Sequence, residues 1–161
     1  MTVVADASTL IGLSRIGKLS LLARLYDQVI MPQAVYDEVA SGLKPGSRHV
    51  KEARYLKVEK IQDEVAMDLL LGSFGRGEAE VLILASEKRA DTILIDERKA
   101  RKVARRAGFS VMRILGILLL AKKKGLVSSV KPLIEELCLQ GFRLSERVIA
   151  RVLKEAGEID Q

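Results

Sequence analysis

Apolar residues fall into short unbroken runs set between longer stretches where they recur every three or four positions. Thr2 to Ala5 is a β-branched run that predicts a buried strand, stopped by Asp6. Ser8 is placed to cap a helix running through Thr9 to Ile16. A second helix is expected over about Lys18 to Tyr26. Gln28 to Met31 is the next strand, ended by Pro32, with a helix from Gln33 to about Ala40. Gly42 to Ser47 is turn-rich and leads to a helix reaching Arg54. Leu56 to Val58 is a minor strand, and Asp63 to Leu71 is helical.

The segment Gly72 to Gly77 is a loop opening into a strong helix over Glu78 to Arg89. Thr92 to Ile95 is a strand ended by Asp96, and Glu97 to Ala107 is a helix. Gly108 precedes a short strand at Ser110 to Met112 and a helix from about Leu115 to Lys124. Helices over about Val130 to Leu139 and Ser145 to Ala156 complete the pattern. Short apolar strands alternating with helices imply a parallel sheet covered on both faces, hence the α/β class. With 161 residues and no repeat, low-complexity tract or linker, the expectation is one domain over 1–161, with the helices of about 130–156 packed on it.

Composition sharpens this picture. A hydrophobic share of 48% beside 30% charged residues excludes a disordered chain. The single cysteine, Cys138, excludes an internal disulfide and a cysteine-based zinc site; the single histidine, His49, excludes a histidine-rich metal site. Cys138 lies in an apolar helix and is expected in the core; His49 is expected at the surface. Met1 to Gly17 does not read as a signal peptide, and the longest apolar stretch, Ile114 to Ala121, is too short to span a bilayer core of ~30 Å. A soluble, cytoplasmic protein is expected. The net charge of +6 is unevenly spread. Ten Lys or Arg and no acid fall between Arg98 and Gly125, so the rest of the chain is net negative. Such a basic island suits a polyanion, nucleic acid above all, and suits equally a solvated lysine-rich surface.

The acids carry the candidate chemistry. Ligands of open parallel α/β sheets bind at the carboxyl ends of the strands, where Asp6 and Asp96 fall. Glu78 shares a helix face with Val81, Leu82 and Ala85, while Glu80 and Glu87 are expected to point to solvent. A carboxylate on an apolar face is costly unless paired or metal-bound, although the helix dipole alone also favours an acid in the first turn. Glu38 lies on the side of Ala34 and Val35, and a surface acid is the plainer reading there. Gathered at one sheet edge, Asp6, Glu38, Glu78 and Asp96 would repel one another. A hard divalent cation removes that penalty, and all-oxygen ligands suit Mg²⁺ or Mn²⁺. Carboxylate-held Mg²⁺ beside a basic surface points to phosphodiester hydrolysis.

The segments VVADASTLIGL, VIMPQAVYDEV, GEAEVLILA and ILIDERKAR resemble the PIN-domain family. The later stretch RILGILLLAKKKGLV looks like a PIN-like prokaryotic subgroup, and the likeness runs to about Leu153. The 18-residue interval from Glu78 to Asp96 looks like the family's spacing between its third and fourth acids, which favours Glu78 over Glu80. The resemblance implies a three-layer α/β/α sandwich around a mainly parallel sheet. It implies an Mg²⁺- or Mn²⁺-dependent ribonuclease acting on RNA, in many cases the toxin of a toxin–antitoxin pair, with a cognate antitoxin and a homodimer as partners. It implies that Asp6, Glu38, Glu78 and Asp96 are catalytic and hold the metal or its water. Ser8 matches a small polar residue beside the first acid, and Glu97 stands where a further acid could help a second metal. Glu at the third position departs from the usual Asp and reaches one methylene further. Independently of the resemblance, Arg98, Arg101, Lys102 and Arg105 fall on one helix face, with Val103, Ala104 and Ala107 opposite. That stripe could follow an RNA backbone or be a solvated face; Arg98 and Arg101 could instead receive an acidic antitoxin tail or pair with Glu97 and Glu78. The alternative to a nuclease is a non-catalytic module of the same fold binding RNA or protein.

Overall fold

The computed structural model describes residues 1–42 and 44–160. Within them the chain runs β1 (Thr2–Ala5), α1 (Ala7–Arg15), α2 (Leu21–Leu25), β2 (Gln28–Pro32), α3 (Gln33–Ser41), α4 (Ser47–Glu52) and β3 (Leu56–Glu59). It continues through α5 (Glu64–Leu70), α6 (Arg76–Glu87), β4 (Thr92–Leu94), α7 (Arg98–Arg106), β5 (Ser110–Met112), α8 (Ile114–Lys123), α9 (Lys131–Leu139) and α10 (Glu146–Glu155). Every expected strand and helix is present, and most boundaries shift by one to three residues.

The five strands form one parallel sheet in the order β3-β2-β1-β4-β5. Val3, Val4, Ala5, Ile93 and Leu94 are fully buried, as a sheet covered on both faces requires. The crossovers from β1 to β2 to β3 run one way along the sheet. Those from β3 to β4 to β5 run the other way. Helices cover both faces, giving three α/β/α layers: α1, α3 and α4 pack together, α5 and α7 pack on α6, and α3 also meets α6. After β5 the chain returns, and α8 packs on α1 and α10 on α8.

Two local features set the frame of the site. α1 ends where Gly17 takes φ +68° and the Lys18 amide returns to the Leu13 carbonyl at 2.8 Å. Residues 18–20 are spent on that turn, so α2 starts at Leu21 rather than near Lys18. The direction of strand order reverses at β1, between β2 and β4. Ligand crevices of open α/β sheets open at such a reversal, outside the carboxyl ends of the strands.

Candidate functional site

Asp6 and Asp96 stand at that reversal. Val3, Val4 and Ala5 of β1 pair with Thr92, Ile93 and Leu94 of β4. The ladder extends one step further, with the Asp6 amide donating to the Leu94 carbonyl at 2.9 Å. The Asp6 carboxylate then does two things. Oδ1 accepts the Thr9 amide at 2.9 Å, so Asp6 rather than Ser8 is the N-cap of α1. Oδ2 accepts the Asp96 amide at 2.9 Å, which fixes the second acid beside the first. Asp6 is buried, and burial pushes its carboxyl up to about 6 against the lowering effect of those hydrogen bonds, with the Asp96 charge adding to the rise.

Around this pair lies a cavity of about 270 Å³ lined by Asp6, Ser8, Glu38, Glu78, Asp96 and Glu97, with small apolar residues between them. Five carboxylates and no basic side chain line it. Glu38 comes from α3 and is exposed, with its Oε2 only 3.6 Å from where a Cβ on Gly77 would stand. That is ordinary van der Waals range, so the Glu38 carboxylate reaches the start of α6. Glu78 is half-buried in the first turn of α6, with its Oε2 folded back over Gly75. Glu97 caps α7: its two oxygens accept the Lys99 amide at 3.0 Å and the Ala100 amide at 2.6 Å. Ser8 is exposed at the rim. Among the described residues no three carboxylate, imidazole or thiol groups converge as a ready-made ion site.

Positive charge flanks the acids on the α7 side. Arg98, Lys102 and Arg105 are exposed, while Arg101 is half-buried and turned inward. The Nε and Nη1 of Arg101 are buried without a hydrogen-bond partner among the described residues. Burial lowers the Arg101 pKa, the neighbouring Arg113 adds to that, and Asp96 opposes it. Arg113 pairs with Asp96 at 3.4 Å. The opposite face of α7 is Ala100 and Ala104; Ala107, expected on that face, is exposed at the helix end.

The structure corrects three expectations. Glu80 does not face solvent. It is 4% exposed, accepts the Ala34 amide at 3.0 Å and pairs with Arg76 at 3.2 Å. α6 packs against α3 and α5 as well as the sheet, so residues 79–85 are all buried and the one-faced reading of the helix fails there. Cys138 is exposed rather than in the core, because α9 buries Ile134 and Leu137 and turns the next residue outward. Ser8 yields the cap to Asp6, as given above. Sequence reasoning passed over Arg113. The rule that picked Asp6 and Asp96, a charged residue just past a strand, also picks Arg113 after β5. Its place as the flank of an apolar run concealed it.

No helix among the described residues is long and apolar enough to cross a membrane. A search of the curated proteins finds no match. A family model described as DUF3368: PIN domain matches residues 2–158.

Proposed function

Since the chain belongs to the PIN-domain family, whose members are generally nucleases, we propose that it is a metal-dependent endoribonuclease hydrolysing RNA phosphodiesters at the cavity between β1 and β4. One observation carries the reading: five carboxylates and no cationic side chain line a single cavity at the point where strand order reverses. An all-oxygen donor set of this kind fits Mg²⁺ or Mn²⁺ and is ill-suited to softer metals. In this reading Asp6, Glu78 and Asp96 hold the ion, Glu38 orients a water, and Glu97 is the candidate for a second ion. Bound there, the ion would acidify a water and stabilise charge developing on the phosphate. Asp6 supports its neighbours through the bond to the Asp96 amide. Arg98, Arg101, Lys102 and Arg105 hold the RNA backbone. The unpartnered guanidinium nitrogens of Arg101 are buried, so a phosphate oxygen would reach them only as the side chain turns outward. Arg113, by pairing with Asp96, aligns that carboxylate. A toxin role, a cognate antitoxin and a homodimer rest on the family resemblance alone.

One observation favours the rival reading of a non-catalytic binding module: the acids do not converge in this conformation. Cleavage of structured and unstructured RNA by the purified protein, in Mn²⁺ or EDTA, separates the two. The nuclease reading expects cleavage that needs Mn²⁺ and falls at least a hundredfold in Asp96→Asn. Metal-dependent cleavage undiminished in Asp96→Asn would sink the site assignment. No cleavage and no effect of Mn²⁺ on the melting midpoint would favour the module.

A further inference from the structure

A second cavity of about 360 Å³ adjoins the acidic one, and Ala7, Ser8 and Glu38 line both. Its chemistry is the reverse. Arg15, Lys44 and Arg143 line it, and Glu38 at the shared boundary is the one acid among its lining residues. Its walls are built rather than accidental. Arg15, on α1, donates from Nε to the Pro45 carbonyl at 2.9 Å and from Nη1 to the Gln140 carbonyl at 3.1 Å. It thereby ties the loop before α4 and the turn after α9 to one helix, and neither bond uses its second terminal nitrogen. Phe142 forms another wall. A Cβ on Gly12 would stand 2.8 Å from the Phe142 Cζ, so the ring rests directly on the α1 backbone and is only half-buried. Ser47 also lines the cavity. It is 4% exposed, and its hydroxyl has no hydrogen-bond partner among the described residues. A buried hydroxyl left unpaired is costly, and a polar ligand atom in the cavity would satisfy it.

We propose that this cavity, formed by Arg15, Lys44, Ser47, Phe142 and Arg143, seats the ribonucleotide next to the reacting phosphodiester. The proposal rests on the ribonuclease reading and adds a subsite to it. The flanking phosphate meets the three cations, and the base lies against Phe142. A lone phosphate would leave the ring unused; a ribonucleotide uses the cations, the ring and the buried hydroxyl together, in a volume within the range of small-molecule pockets. The shared boundary at Ser8 and Glu38 gives the strand a continuous path from the acids into the basic cavity.

The test measures fluorescence anisotropy of a labelled short oligouridine in EDTA, so that nothing is cleaved, with the Mn²⁺ shift of the melting midpoint read separately. Lys44 and Arg143 are exposed, so the double variant Lys44→Gln/Arg143→Gln keeps the fold. It is expected to bind RNA about tenfold more weakly and to lower the salt slope by about 1 or more. Phe142→Leu is expected to weaken binding about tenfold with the slope unchanged. Both variants should keep the full Mn²⁺ shift, which Asp96→Asn should lose. Wild-type affinity in the double variant would overturn the proposal. So would a wild-type protein that is stabilised by Mn²⁺ yet does not bind the oligouridine, an outcome that leaves the metal reading standing. Loss of RNA affinity in the variants without any Mn²⁺ shift in the wild type would sink the nuclease reading and support the cavity only as a ribonucleotide-binding site.

Discussion

At Asp6 one carboxylate caps a helix, anchors the Asp96 amide and sits inside the sheet edge. The ionised form is the better acceptor, yet burial disfavours it, and burial wins by lifting the carboxyl from 3.8 to about 6. A folded-state pKa above the unfolded value means that the folded state prefers the protonated group. The stability this group supplies is full below 3.8 and is lost as pH rises through about 6. In EDTA, the wild type should therefore lose about 2–3 kcal/mol relative to Asp6→Asn between pH 4 and pH 7.5. Urea unfolding of both proteins at the two pH values measures this; a constant difference would mean that Asp6 titrates like an exposed acid. Asp6 and Asp96 were legible in the sequence because an acid that stops a buried β-branched run has one place to go, the rim. Arg113 obeys the same rule and was passed over. The place of Phe142 was not legible at all, since nothing local to residue 142 says that its ring will rest on Gly12.

At the scale of the element, Glu158 repeats the capping device from outside the helix it serves. Its carboxylate accepts the Val130 and Lys131 amides at 2.8 and 2.9 Å, the Ser129 hydroxyl at 2.6 Å and Lys122 Nζ at 2.9 Å. Burial opposes ionisation there, and these four donors outweigh it, holding the carboxyl at about 2. The folded pKa is depressed, so the support is present above 4.5 and is lost as pH falls toward about 2. Glu158→Gln should destabilise the protein by about 1–2 kcal/mol at neutral pH, with the difference from wild type closing below pH 3. Hydrogen exchange should show the amides of the first turn of α9 opening faster in the variant; unchanged exchange would mean that the cap contributes nothing. Strand and helix existence were legible because hydrophobic period is a local property. α6 marks where that logic stops. A helix flanked by α3, α5 and the sheet hides residues that its own periodicity assigns to solvent, Glu80 among them.

For the molecule as a whole, acids line one cavity, the Arg98–Arg105 stripe flanks it, and Arg15, Lys44 and Arg143, which lie outside the basic segment of the sequence, line the cavity that adjoins it. If the acidic cavity binds a cation only when folded, Mn²⁺ at a hundred times its dissociation constant should contribute about 2.7 kcal/mol and raise the melting midpoint by roughly 5–10 °C. Differential scanning fluorimetry reads this directly, and Asp96→Asn should remove most of the shift. An equal shift in Asp96→Asn would place the ion elsewhere. The three-layer order was legible from the alternation of elements, whereas the neighbour of β1 was not, because β4 arrives from far along the chain.

That distance also has a meaning during synthesis. Asp6 takes the amide of a residue 90 positions later, and β1 is the central strand. At about 5–20 residues per second, a ribosome needs roughly 5–20 seconds to deliver β4 after β1 is made. Through that interval one edge of the nascent central strand has no native neighbour and invites a wrong one. The catalytic chemistry proposed for the finished protein cannot begin in it either. The proposed site, which draws Asp6 from beside β1 and Asp96 from beyond β4, is incomplete until residue 96 has been made and docked.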